Sequence, residues 1–465
     1  MYLKRSVLVL LAAVGSGKLY ALEKPAARLP NIVIIMADDL GYADISINGA
    51  KDVKTPNIDA LAQSGMQFSE AYVCYPACGP SRAGIMTGRH HMRFGFPCNP
   101  EVVAPTKPGN VVGLPQDEIS LADLLKKQGY ATACVGKWHL GFHRALHPLS
   151  RGFDEFFGFL NCLYPYFDRG NLQYPYGLMR GFEHWHEKEY VTDALARECT
   201  SFIKSNQKQP FLLYASFGAV HTPLMYDKDS GDVDIPLEGT DDVEENRRML
   251  VNMIEGLDRG VGRIMDQIRE CGLEKNTLVF FLSDNGGPEA TGAYNNGPLR
   301  AHKGWIYEGG VRVPFFASWP GRIAPGQRCG RYISALDIFA TSVAVAGGRL
   351  SDDRVYDSEN LLPVLAGDQQ PPEDRPLFWD ALNMKGVRLG DWKLVVNNRK
   401  GGGTELYNIR EDIGEKNNLI EAYPERAEQL RNMLKNWQKE LPPKKFKKST
   451  VKEFRAWMKQ QDFLR

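Results

Sequence analysis

A continuous apolar run, Asn31-Ile32-Val33-Ile34-Ile35-Met36, breaks off at Ala37-Asp38-Asp39. A strand that is apolar on both faces must be covered on both sides, which puts it inside a parallel sheet packed between helices. Two further runs have the same form. One, 211–217, ends near His221; the other, 278–282, ends in Ser283-Asp284-Asn285-Gly286. Helical patterns lie between them. Ser120 caps a helix through Leu121, Leu124 and Leu125 that Gly129 stops, and a strand follows over 131–135. From about residue 246 to 270, Leu250, Met253, Ile254, Leu257, Val261, Ile264, Met265 and Ile268 keep one helix face apolar, and Gly272 is placed to end it. The alternation predicts an α/β fold with a large, mostly parallel sheet. Ligands of such sheets gather at the carboxyl ends of the strands. Here those ends carry Asp, Asn, His and Lys.

No internal repeat or low-complexity tract interrupts the pattern. After about Pro371 the texture changes to short strand-like pieces (387–389, 392–396, 405–407) and one helix, 424–440. This reads as a small C-terminal subdomain with an antiparallel sheet. The expected division is a signal peptide over 1–21, a catalytic domain over 22–370, and a subdomain with a basic tail over 371–465. The tail from Pro442, with Lys444, Lys445, Lys447 and Lys448, reads as a solvated segment lying loosely on the surface. At the other end, Lys4 and Arg5 precede a short apolar stretch, 6–14, and Ala21 closes a small-residue cleavage site. The expected location is therefore secreted or periplasmic. No cysteine follows the apolar stretch, so no lipid anchor is expected, and no later run is long enough for an integral membrane span. With 57 basic against 56 acidic residues, nothing in the balance points to nucleic acid. Eight cysteines suit an oxidising compartment but are too thinly spread for a disulfide scaffold.

The chemistry concentrates in Cys78-Gly79-Pro80-Ser81-Arg82-Ala83-Gly84-Ile85-Met86-Thr87-Gly88-Arg89. Cys78 precedes a Gly-Pro turn and a helix start. The helix N-terminus and Arg82 would favour a thiolate there. Taken alone, Cys78 reads rather as half of a disulfide, with Cys74 or Cys98. Asp38, Asp39, Asp284 and Asn285 are hard oxygen donors at two strand ends, which suits calcium or magnesium better than zinc.

Cys-x-Pro-x-Arg followed by Thr-Gly-Arg resembles the signature of the type I, formylglycine-dependent sulfatases, the arylsulfatase family of the alkaline phosphatase superfamily. Similar stretches recur in order: Ala37 to Gly41, Thr55 to Asp59, Gly136 to Gly141, Arg151 to Asp154, His221-Thr222-Pro223, Ser283 to Gly286, Lys303-Gly304 with Glu308-Gly309-Gly310, and Glu405-Leu406-Tyr407. The resemblance implies an alkaline phosphatase-like fold and a sulfuric ester hydrolase. It implies that Cys78 is oxidised to formylglycine (3-oxoalanine) by a formylglycine-generating or anaerobic sulfatase-maturating enzyme. One hydroxyl of the hydrated aldehyde attacks sulfur, and collapse of the sulfated diol expels sulfate, a second step that a serine ester lacks. It further implies one calcium ion, with magnesium the lesser choice, on Asp38, Asp39, residue 78, Asp284 and Asn285. Lys137 and Lys303 would contact the sulfate, Arg82 would hold the formylglycine, His139 would take a proton from the diol, and His221 would protonate the leaving alcohol. Export favours a sulfated polysaccharide or glycosaminoglycan as substrate.

One departure is His302, where relatives commonly carry a small residue. It is a candidate substrate contact. The aromatic loop 161–176 either stacks on sugar rings or packs beneath itself. The rival functions are a formylglycine-dependent phosphonate or phosphodiester hydrolase and an inactive carbohydrate-binding relative. A zinc phosphatase would need histidine-rich metal sites and a Ser or Thr nucleophile, which these positions lack.

Overall fold

The computed structural model describes residues 28–105, 111–162, 164–167, 177–228, 239–381, 383–443 and 445–449. The expected signal peptide, Lys444 and the tail beyond 449 lie outside these. A 10-stranded sheet organises the chain, in the order Gln327–Cys329, Met66–Phe68, Phe315–Ser318, Thr277–Ser283, Asn31–Ala37, Phe211–Ser216, Ala131–Lys137, Glu155–Phe159, Met179–Arg180, Glu183–His184. The strands from Thr277–Ser283 to Glu155–Phe159 run parallel, and antiparallel pairs flank them. Alternate residues of the first strand enter two different cores. Ile32, Ile34 and Met36 pack on one side, and Val33, Ile35 and Ala37 on the other. All of them are buried, as a strand without a polar face requires.

The helices match the sequence pattern with small shifts at their ends. Leu121–Lys127 carries a reciprocal Ser120–Asp123 capping box. Val243–Glu270 begins earlier than the apolar pattern because Asp242 caps it, accepting from the amides of Glu244 and Glu245. No helix among the described residues is long and apolar enough to cross a membrane.

Leu377–Ala381, Met384–Leu389, Trp392–Asn397 and Thr404–Asn408 form a separate four-stranded antiparallel sheet. One face joins the main core through Trp379, Met384, Val395 and Tyr407. The other covers Leu430, Leu434 and Trp437 of the helix Pro424–Lys439. A buried charge cluster ties this sheet to the catalytic half. Lys393 lies 2.7 Å from Glu308 and 3.0 Å from Glu415, with all three side chains fully buried. Removing Lys393 leaves Glu415 without its cation and Glu308 with Arg312 alone at 3.4 Å in a dry interior, at about 3–5 kcal/mol. Lys393→Ala is therefore expected to lower unfolding stability by that amount in a urea titration. A loss under about 1 kcal/mol would show that the cluster does not hold the two parts together.

Two expectations change. Where the tail is described it is not loosely laid down: Phe446–Lys448 pairs antiparallel with Val103–Pro105, and Phe446 is buried at 6.1 Å from Phe96, ring to ring. Burial of Phe446 seats it, and Lys445 beside it reaches Asp117 at 3.3 Å. None of the eight cysteines is in a disulfide, so the disulfide alternative for Cys78 falls away.

Candidate active site

Parallel register brings the polar strand ends together. Ala37 lies beside Ser283, so Asp38–Asp39 and Asp284–Asn285 emerge side by side. Lys137 ends the strand two places away, and His221 follows the strand between. Asp39 and His139 hold left-handed backbone, φ 64° and 58°, a conformation that residues with a Cβ rarely adopt. Such strain persists only where the surroundings enforce it, and it concentrates at working sites. The loop bearing Lys303 is keyed to this edge by glycine: a Cβ on Gly286 would sit 1.8 Å from the Gly309 carbonyl oxygen. No residue but glycine allows that approach.

Cys78 is the first residue of the helix Cys78–Thr87, and all ten of the helix's residues are buried. The Gly79 amide at its N-terminus donates to Asn99 Oδ1 at 2.9 Å. Cys78 Sγ lies 3.4 Å from Asp38 Oδ1. The thiolate expected from the helix N-terminus and Arg82 is not what the structure favours. Burial pushes the thiol well above its ordinary value, and the nearby Asp38 and Asp284 add to this against Lys137 and Lys303. Arg82 is also turned elsewhere. Its Nε and its other guanidinium nitrogens reach Asp284 Oδ2 at 2.8 and 2.7 Å, the Lys137 carbonyl at 3.2 Å, and the Ser216 hydroxyl.

Lys137 Nζ stands 2.5 Å from Asp38, and Lys303 Nζ lies 2.7 and 2.8 Å from the two oxygens of Asp39. Asn285 Nδ2 donates to Asp39 Oδ1 at 2.7 Å, and His221 Nε2 lies 3.5 Å from Asp39 Oδ2. Burial beside two other carboxylates pushes Asp38 up to about 7, although Lys137 and Arg82 oppose it. Asp39 goes the other way: burial is overcome by Lys303, His221 and Lys137. Burial pushes His221 down to about 3, and the two lysines add to that against Asp39. Its ring is neutral in the free site. His139 Nε2 is 2.9 Å from Glu101 Oε2.

The donor set fits a hard divalent cation. Ligand atoms of Asp38, Asp39, Cys78 and His221 lie within 4.8 Å of one another. The Asn285 side-chain oxygen, Oδ1, is buried with no hydrogen-bond partner. Orphaned acceptors of this kind are rare in folded proteins, and a cation satisfies one directly. Asp284 gives one oxygen to Arg82 and accepts the Asp39 amide with the other at 3.2 Å. Three buried carboxylates face three fixed cations, so one added divalent ion leaves the site net positive and suited to an anion.

Asp38, Asp39, Cys78, Arg82, Lys137, His221, Asp284, Asn285 and Lys303 are thus in one buried cluster, whereas the side chain of His139, also buried, is hydrogen-bonded to Glu101. His302 stands at the edge of the cluster, one-quarter exposed, with Nε2 2.7 Å from Glu289 and its ring against Trp305. The aromatic loop, where it is described, packs against neighbouring segments. Tyr164 stacks on Phe159, and the Tyr166 hydroxyl donates to the carbonyls of Gly218 and His221. Residues 163 and 168–176 lie outside the described chain. Sequence reasoning missed Ser216, Asn99 and Glu101. Ser216, polar at the end of an apolar strand, carried a readable signal; Asn99 precedes and Glu101 lies in a single short 3-10 turn, Pro100–Val102, which has none.

Comparison with known proteins agrees with the geometry. The sulfatase family model matches residues 30–348, and the model of the N-sulphoglucosamine sulphohydrolase C-terminal region matches 301–442. The chain is 35% identical over 412 residues to N-acetylgalactosamine-6-sulfatase of Mus musculus, covering 84% of this chain and 75% of that one. It is 32% identical over 446 residues to steryl-sulfatase of Homo sapiens, covering 77% and 73%. Among solved structures, Ps i-CgsB in complex with k-i-k-neocarrahexaose superposes with a TM-score of 0.82 at 33% identity, over 94% of this chain and 98% of that chain.

Proposed function

The chain belongs to the sulfatase family, and from that premise we propose that it is a calcium-dependent enzyme that removes sulfate from a sulfated polysaccharide or glycosaminoglycan, with Cys78 converted to formylglycine. The observation that carries this reading is the convergence of Cys78, Arg82, Lys137 and Lys303 on Asp38, Asp39 and Asp284 in one buried cluster. The carbohydrate part rests on relatives named for sulfated sugars and on the structural neighbour that holds an oligosaccharide.

Formylglycine supplies, once hydrated, one hydroxyl to attack sulfur and a second through which sulfate can be released. Calcium held by Asp38, Asp39, Asp284 and Asn285 at residue 78 supplies Lewis acidity toward oxygen. The remaining work falls to side chains. Lys137 and Lys303 hold the sulfate oxygens through fixed charge that need not reorganise. Arg82, anchored on Asp284, fixes the helix that carries residue 78. His139 takes the proton that leaves the diol. His302, beside Lys303, contacts the group that bears the sulfate. Phosphonate esters are the rival substrate class, and relative turnover of aryl sulfate and aryl phosphonate separates the two. A panel of defined sulfated oligosaccharides, scored for sulfate release, tests the proposal; binding without release would indicate an inactive carbohydrate-binding relative. A formylglycine-generating or anaerobic sulfatase-maturating enzyme is the implied partner. Export to the periplasm or medium, read from residues 1–21, is checked by N-terminal sequencing of the mature chain.

His221 is proposed as the acid for the leaving alcohol. Neutral in the free site, it gains a proton most readily when a negatively charged ester lies beside it. A sugar alkoxide must be protonated as it departs, whereas a nitrophenolate largely need not be. His221→Ala is therefore expected to lose about 10²–10⁴-fold in kcat/KM on a sulfated sugar and much less on nitrophenyl sulfate. The ratio of the two losses cancels any change in the amount of folded enzyme. Equal losses on both substrates would assign His221 a structural role.

A further inference from the structure

We infer that Glu101 is a positioning residue for His139, holding its imidazole as the tautomer with the proton on Nε2 and leaving Nδ1 as the free acceptor. The inference rests on the proposed role of His139 as the group that takes a proton in the site. It is carried by contacts unlike those of the other histidines near the site. His139 Nε2 meets Glu101 Oε2 at 2.9 Å, with the imidazole fully buried and the carboxylate nearly so. By contrast, His221 and His302 each turn Nδ1 onto a backbone carbonyl close in sequence.

The atoms left over matter as much as the contact. His139 Nδ1 is buried without a hydrogen-bond partner, and so is Glu101 Oε1. A ring nitrogen sealed from water and left unpaired is destabilising unless something else occupies it during function. A carboxylate accepts only, so the bond to Nε2 requires a proton on that nitrogen. Nδ1 then keeps its lone pair. The left-handed backbone at His139 fixes the direction from which the ring enters. The segment that brings Glu101 also brings Asn99 to the amide of Gly79, next to Cys78. One short stretch of chain therefore braces both the residue to be oxidised and the histidine beside it. A carboxylate behind an imidazole orients the ring and stabilises the imidazolium formed when it accepts a proton.

Three substitutions, two of them also combined, and one spectrum test this. Glu101→Gln keeps the volume and an acceptor but removes the charge. It is expected to lower kcat by about 10–100-fold, the usual loss when a carboxylate behind a working histidine is removed, with KM within about twofold. Glu101→Ala should lose at least as much in wild-type background and nothing further in His139→Ala background, since the two act as one unit. Imidazole ¹⁵N shifts of the unmodified Cys78 protein, which need no turnover, should report a single Nε2–H tautomer for His139 that becomes mixed in Glu101→Gln. Full kcat in Glu101→Gln with an unchanged tautomer overturns the inference alone. Equal losses from Glu101→Ala with and without His139 also overturn it. Full activity in His139→Ala overturns the parent reading, and this inference with it.

Discussion

Cys78→Ala is expected to lower sulfate release by about 10⁴-fold or more on every sulfate ester, while the protein remains folded. The size follows from the role: removing a covalent nucleophile that works as part of a unit abolishes nearly all chemistry and leaves only what binding and fixed charge provide. The fold should tolerate the change. The side chain is small, and its one polar contact is a 3.4 Å approach to Asp38. Circular dichroism and melting should therefore be close to those of the unsubstituted chain. Cys78→Ser tests the second half of the chemistry. A serine hydroxyl can accept sulfate once, but the ester formed has no neighbouring hydroxyl to expel it, so at most one equivalent of alcohol should appear before turnover stops. Peptide mass spectrometry of active enzyme should find an aldehyde where the thiol stood. Because burial holds that thiol protonated, an unmodified Cys78 is a poor nucleophile. Full activity from protein with intact Cys78 would sink the formylglycine mechanism.

Asp39→Asn should be nearly as severe, with at least about a 10³-fold loss, on the scale of removing a major electrostatic stabiliser from an active site. Asp39 is the meeting point of Lys303, Asn285 and His221. The substitution keeps its shape and removes its charge, so it separates electrostatics from packing. Without that carboxylate the site loses one of three anionic donors, and divalent metal should fall from about one per chain to a small fraction of that. Chelation of the unsubstituted enzyme should mimic the loss, and calcium should restore it. Lys303, one-fifth exposed, can turn its ammonium to water, so the fold should survive. Stoichiometric zinc in active enzyme, or unchanged metal content in Asp39→Asn, would overturn the assignment.

Much of this site was legible in the sequence because the fold does the gathering. Apolar strands that end in Asp38-Asp39, Lys137, Ser283-Asp284 and the approach to His221 need only parallel register to converge, and a buried sheet supplies that register. What stayed hidden depends on packing between distant segments. Glu101 is one acid among 56 acidic residues and lies in a short 3-10 turn, so its approach to His139 has no local signature. The Lys393, Glu308 and Glu415 cluster joins three separate stretches, and burial alone makes it consequential. The Cys78 thiol illustrates the same limit. Its helix N-terminus was readable, but the desolvation that outweighs it is a property of the assembled core.

The pairing of Phe446–Lys448 with Val103–Pro105 bears on how the enzyme acquires activity. Val103 is two residues from Glu101 and four from Asn99, so this short ladder lies next to the bracing of His139 and of the Cys78 helix. Its partner strand lies at the far end of the described chain. Contacts between such remote segments form late, because closing so long a loop costs entropy before the new bonds repay it. Active-site geometry should thus mature after the bulk of the helical signal in a refolding experiment. In hydrogen exchange, opening of this ladder should set a floor on how often the bracing segment comes loose. On that expectation competence depends on the fold's own completion: the site should become fully shaped once a strand from far along the chain has been seated.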